Sequence, residues 1–109
     1  MTVEQRQSQR KVLRIKALLS IDDAAPLAVR TMDVGKFGMG LVDIPLQLSI
    51  GQRIQVAFEM FFDGKNHDIE VNARVSYCIK AEGDGFKAGI QFLNLDAEGV
   101  LLIAQYIGS

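Results

Sequence analysis

The segment RIQVAFEMFF, residues 53–62, constrains this chain more than any other stretch, because Ile54, Val56, Phe58, Met60 and Phe62 alternate with Gln55 and Glu59. A two-residue repeat places successive side chains on opposite faces of a strand, so one face must be buried. Asp63-Gly64-Lys65-Asn66 follows. An Asp-Gly pair between two alternating runs is a strong short-range signal for a hairpin. The return run sets Ile69, Val71, Ala73, Val75, Tyr77 and Ile79 against Glu70, Asn72, Arg74 and Ser76. A long amphipathic hairpin is therefore predicted, with Phe61 on its outer face.

Shorter strands flank it. Leu13 to Ile21 is apolar and β-compatible, and Asp22-Asp23-Ala24-Ala25-Pro26 is rich in turn formers. Leu27 to Val34 resumes a strand in which Leu27, Val29 and Thr31 share a face, and Met39 to Ile44 is a short strand closed by Pro45. After the turn Glu82-Gly83-Asp84-Gly85, the residues Phe86, Ala88, Ile90 and Phe92 alternate again. The period then changes: Asn94 or Asp96 can cap a helix carrying Val100, Leu101, Ala104 and Ile107 before Gly108. About six antiparallel strands in so short a chain favour a closed or nearly closed barrel, which leaves no exposed sheet edge. The expectation is a mainly β single domain: a flexible basic arm over residues 1–12, a six-stranded barrel over 13–93 and a C-terminal helix over 94–107.

Composition excludes several functions. With 49% apolar and 23% charged residues and a formal net charge of -1, the chain falls among ordinary globular domains rather than nucleic-acid-coating ones. Cys78 stands alone, so no internal disulfide forms, and no N-terminal apolar run resembles a signal peptide or a membrane span. A cytoplasmic protein with no membrane insertion is expected. Neither CxxC nor HxxxH spacing offers a metal site, His67 beside the hairpin turn reads as a surface loop residue, and Asp22 and Asp23 read as a solvated turn. No enzyme is expected, and no metal or cofactor.

Two features remain. Arg6, Arg10 and Arg14 recur at four-residue spacing in an arm that also holds Lys11 and Lys16 against the single acid Glu4. Such arginines either line a solvated helical face or fork onto phosphate oxygens, which their planar fixed donors suit. The stretch DVGKFGMG, residues 33–40, surrounds one acid with bare backbone. Its glycines either permit a bulge between strands or let backbone approach an anion or base, with Asp33 available to a guanine edge.

An RxxxR arm, then a D-x-S-x-x-G turn, a barrel of short strands and a closing helix together resemble the PilZ domain, the bacterial receptor module for cyclic di-GMP. The arm is R6-Q-S-Q-R10 and the turn is D33-V-G35-K-F-G38, while RVSYCIKAEGDGFKAGIQFLNLD looks like the family's late hairpin. The resemblance implies that Arg6 and Arg10 grip phosphates and stack on guanines, that Asp33 reads a guanine edge, and that Gly38 keeps the backbone close to the ligand. R10-K-V-L-R14 fits the arm as well. The first register is preferred here because Arg14 leaves a short path to Asp33, and Arg10 belongs to both. Gly35 stands where the family has serine and removes a hydroxyl. The function implied is a non-catalytic cyclic di-GMP adaptor whose arm orders on the nucleotide and signals to a protein partner in motility, pilus or exopolysaccharide control. The alternative is a PilZ-like interaction scaffold that binds no nucleotide. Single-stranded nucleic acid is not the expected partner, since the chain has no Trp and only two Tyr to stack bases on.

Overall fold

In a computed structural model of the chain, residues 9–109 are described, and the predicted hairpin is the longest feature. Strand β5 (Arg53–Phe62) pairs with β6 (Lys65–Lys80) in unbroken register from Arg53↔Arg74 to Phe62↔Lys65. Asp63 and Gly64, at φ of 54° and 78°, make the two-residue turn. Both central residues at positive φ give the turn type whose twist matches that of the flanking strands. Ile54, Val56, Phe58 and Met60 face inward as their alternation requires, and Phe61 is exposed.

Five further strands complete the sheet: β1 (Arg10–Val12), β2 (Lys16–Ser20), β3 (Leu27–Gly35), β4 (Gly38–Ile44) and β7 (Phe86–Asn94). Neighbours run β3-β2-β5-β6-β7-β4, and β4 pairs back onto β3, so six antiparallel strands close into a barrel. Strand β1 is an additional short strand on β3, paired Arg10↔Gly35, Lys11↔Val34 and Val12↔Asp33. The arm expected over 1–12 therefore ends in a strand, and what was expected of residues 1–8 lies outside the described residues. The single strand expected over Leu13–Ile21 is interrupted too. Its ladder breaks at residues 13–15, where the register to β3 slips by one residue between β1 and β2.

The helix α1 (Ala97–Ile107) is capped by Asp96, whose Oδ1 accepts from the Gly99 N–H at 2.8 Å. Its inner stripe, with Ile103 and Ile107, joins the barrel's single core cluster beside Val34, Met60 and Ile90. A second departure from simple alternation lies in β6. A bulge between Val75 and Tyr77 reverses the faces, so Tyr77 and Ile79 point outward and Cys78 is half-buried, its Sγ accepting from the Leu48 N–H. Tyr77 then lies across Gly89, where an added Cβ would stand 2.4 Å from its ring. His67 belongs to β6 rather than to a loop and is half-buried, with Nε2 3.2 Å from the Phe62 carbonyl. Among the described residues no helix is long and apolar enough to cross a membrane.

Candidate functional site

Asp33 owes its position to a bulge. Val29 and Thr31 point into the barrel, and strict alternation would send Asp33 inward with them. The register to β4 shifts between Thr31 and Asp33, so Met32 and Asp33 both take the outer side and Val34 returns to the core. One extra residue in a strand re-aims the side chains beyond it. The outward carboxylate then gathers two donors on one oxygen: Arg10 Nη1 donates to Asp33 Oδ1 at 2.9 Å, and the Gly40 N–H donates to the same atom at 2.9 Å. Among the described residues this is the one ion pair, with side chains 41% and 29% exposed.

Arg14 sits on the other side of the bulge. It lines a hollow of about 410 Å³ with Arg30, Thr31, Met32, Val42 and Asp43. The path from Arg14 to Asp33, expected to be too short, holds β2, a tight turn and most of β3. Of the predicted site residues, Arg10 and Asp33 meet in the ion pair, Gly35 is buried opposite Arg10 in the ladder, and Arg14 lines its hollow with Thr31 and Met32, while Arg6 lies outside the described residues. Arg30 and Asp43, which the motifs do not contain, line the same hollow as Arg14. A larger hollow, about 580 Å³, lies elsewhere on β2, β5 and β6, where Lys16 faces Glu59, Asp68 and Glu70. It contains no arginine, so anion binding is better served by the smaller one.

The two motif glycines serve the fold. A Cβ on Gly38 would stand 2.1 Å from the Ile90 carbonyl oxygen, so only glycine lets β4 approach β7 here. A Cβ on Gly35 would meet the Gln9 carbonyl at 3.1 Å and Arg10 Cδ at 3.5 Å. Gly35 thus makes room for β1, and for the arginine that reaches Asp33. Strand β1 is held from the opposite side by α1. Lys11 Nζ donates to the carbonyls of Tyr106 and Ser109 at 3.1 and 3.0 Å and lies 4.6 Å from the Tyr106 ring centre, and the Tyr106 hydroxyl donates to the Val12 carbonyl at 2.8 Å. A cation among the last carbonyls of a helix is favoured by the helix dipole. Among the described residues no group of three or more His, Cys, Asp or Glu could hold a metal ion.

The fold is thus a closed antiparallel barrel with a capping helix that carries the ion pair of Arg10 and Asp33 on its outer side. Its sequence matches the profile of the PilZ domain family over residues 4–109, and the chain belongs to that family. No curated protein matches it. Among solved structures, it superimposes on the Bacillus subtilis inhibitor of motility MotI/DgrA with a TM-score of 0.84 at 14% identity, covering 96% of this chain and 50% of that one. It matches Escherichia coli YcgR in complex with c-di-GMP with a TM-score of 0.72 at 20% identity, covering 97% of this chain and 46% of that one. The PilZ domain of YcgR with c-di-GMP gives 0.72 at 18% identity, covering 96% and 90%. The chain thus spans about half the length of the first two.

Proposed function

We propose that this chain is a cyclic di-GMP receptor that performs no catalysis itself and passes the signal to a protein partner. The observation that carries the proposal is the pairing of Arg10 with Asp33, an acid turned outward by a bulge in β3, while Arg14 lines a hollow with the preceding Thr31 and Met32. Membership of a family of cyclic di-GMP receptor domains, and the nucleotide bound in both YcgR structures, support it. Arg10 and Arg14 serve as the phosphate-gripping pair: Arg10 bonds the acid, and Arg14 lines a hollow with Met32, the residue before it. Asp33 Oδ1 already accepts two bonds, so a guanine edge that takes both carboxylate oxygens displaces Arg10 toward the phosphates. Exchange of this kind is inexpensive: a partly exposed ion pair is worth about 0.2–1 kcal/mol, a 1.4- to 5-fold cost in affinity. Motility is the first process in which to seek the partner, given the likeness to an inhibitor of motility.

Calorimetric titration with cyclic di-GMP, with GTP and the linear dinucleotide as controls, tests the proposal. Replacing Arg10 by Ala removes a charge-assisted bond of about 1.5–3 kcal/mol and returns at most the ion-pair cost, so binding weakens roughly 2- to 100-fold. Unchanged affinity in Arg10→Ala would remove Arg10 from the site. Absence of binding by the wild type would leave the second reading, a scaffold without nucleotide, which the missing hydroxyl at Gly35 favours.

A further inference from the structure

We infer that the hydroxyl of Thr31 is a positioning group for the nucleotide surface, holding Arg14 and the outward turn of Asp33 without touching ligand; the inference rests on the reading above. Thr31 is 1% exposed and is the one buried polar side chain among the described residues. A hydroxyl in an apolar interior is unfavourable unless bonded, and Val would fill the same volume with the same branched shape. The hydroxyl's two bonds explain its presence. It accepts from the Ile15 N–H at 3.0 Å and donates to the Leu13 carbonyl. Those are the two neighbours of Arg14.

The bonds fall where the ladder slips. The Leu13 N–H donates to the Met32 carbonyl at 3.1 Å and the Thr31 N–H to the Ile15 carbonyl at 2.8 Å, so the hydroxyl bridges the one-residue step between them. With both neighbours tied to β3, Arg14 extends from the step into the hollow lined by Arg30, Met32 and Asp43. Thr31 is also the last residue before the register to β4 shifts, and that shift sends Asp33 outward. Thr31 therefore secures the break on one edge of β3 and stands directly before the bulge on the other.

The test is a double-mutant cycle on the whole chain, with cyclic di-GMP titrated into the wild type, Thr31→Val, Thr31→Ser, Arg14→Ala and the Thr31→Val/Arg14→Ala pair. Arg14→Ala is expected to weaken binding about 10- to 100-fold and Thr31→Val by about tenfold, as charge-assisted bonds are lost or misplaced. Thr31→Ser restores affinity to within about twofold, and Arg14→Ala costs markedly less when Thr31 is already Val. Equal Arg14→Ala penalties in both backgrounds, or unchanged affinity in Thr31→Val, would overturn the inference while the receptor reading stands. A wild type that does not bind removes the reading and this role together. Should Thr31→Val fail to fold, amide exchange decides: slow exchange at Ile15 in the wild type and in Thr31→Ser supports the bridge, and fast exchange in the wild type overturns it.

Discussion

Replacing Asp33 by Ala separates what this acid does for the barrel from what it does for a ligand. In the structure, Asp33 Oδ1 accepts from the Gly40 N–H and from Arg10, each at 2.9 Å. A hydrogen bond to a charged group contributes about 1.5–3 kcal/mol, and its loss leaves the part of β4 opposite the bulge with an unmatched N–H. The Arg10 pair adds about 1 kcal/mol at most, because the two side chains are 41% and 29% exposed. The backbone bond therefore dominates, and Asp33→Ala should lose roughly 2 kcal/mol. With a urea slope of about 2 kcal/mol/M for a small domain, the midpoint falls by roughly 1 M. Equilibrium unfolding followed by far-ultraviolet circular dichroism measures this without tryptophan, which the chain lacks. Asp33→Asn keeps an acceptor for Gly40 and should lose about half as much, while Arg10→Ala should lie within about 1 kcal/mol of the wild type. If Asp33→Ala were no less stable than Arg10→Ala, the acid would not be holding β4, and the account of the bulge would fail.

Two further outcomes follow from neighbouring residues. Gly35→Ser restores the motif hydroxyl and should tighten cyclic di-GMP binding about 2- to 13-fold by calorimetry, provided the Gln9 carbonyl, 3.1 Å from the new Cβ, yields a few tenths of an ångström. Weaker binding would show instead that the side chain lifts β1 from β3. Lys11→Met removes a cation from the last carbonyls of α1 and from the Tyr106 ring, so thermal unfolding should begin roughly 5 °C lower, for a loss of about 1 kcal/mol. An unchanged transition would mean that the Lys11 part of the link between β1 and α1 carries no stability.

Much of this fold was legible because its strongest elements repeat. The β5–β6 hairpin combines ten alternating residues with an Asp-Gly turn, and no competing pattern fits that stretch. The helix was legible from Asp96 and the apolar spacing after it. The bulges were not. A bulge slips the alternation by one residue without any change of composition, and tertiary pairing fixes where it falls. Only one trace remains in the sequence of β3: Val29, Thr31 and Val34 all face inward, and 31 and 34 differ in parity. Reading Thr31 as simply one of a row concealed both the outward turn of Asp33 and the break that presents Arg14. The glycines carry a constraint that the sequence does not show for a related reason. Gly38, assigned to a ligand by resemblance, also lacks a Cβ because of the Ile90 carbonyl, an atom half a chain away in sequence.

Adjacent residues of a strand point to opposite sides, and in β1 that elementary fact joins the ligand surface to the helix. Arg10 reaches Asp33 on one side, and Lys11 reaches the end of α1 on the other. Among the described residues three register pairs bind β1 to β3, and these two side chains and the Tyr106 hydroxyl add to that hold. A nucleotide that draws Arg10 onto its phosphates acts on the same three-residue strand that α1 steadies. By linkage, whatever α1 contributes to ligand affinity, the ligand must contribute equally to the docking of α1. That helix exposes Val100 and Leu101, 51% and 59% accessible. A partner that reads the helix would therefore sense the nucleotide through β1 without touching it, and the size of the effect is bounded by the roughly 2 kcal/mol that Lys11 and the Tyr106 hydroxyl together supply.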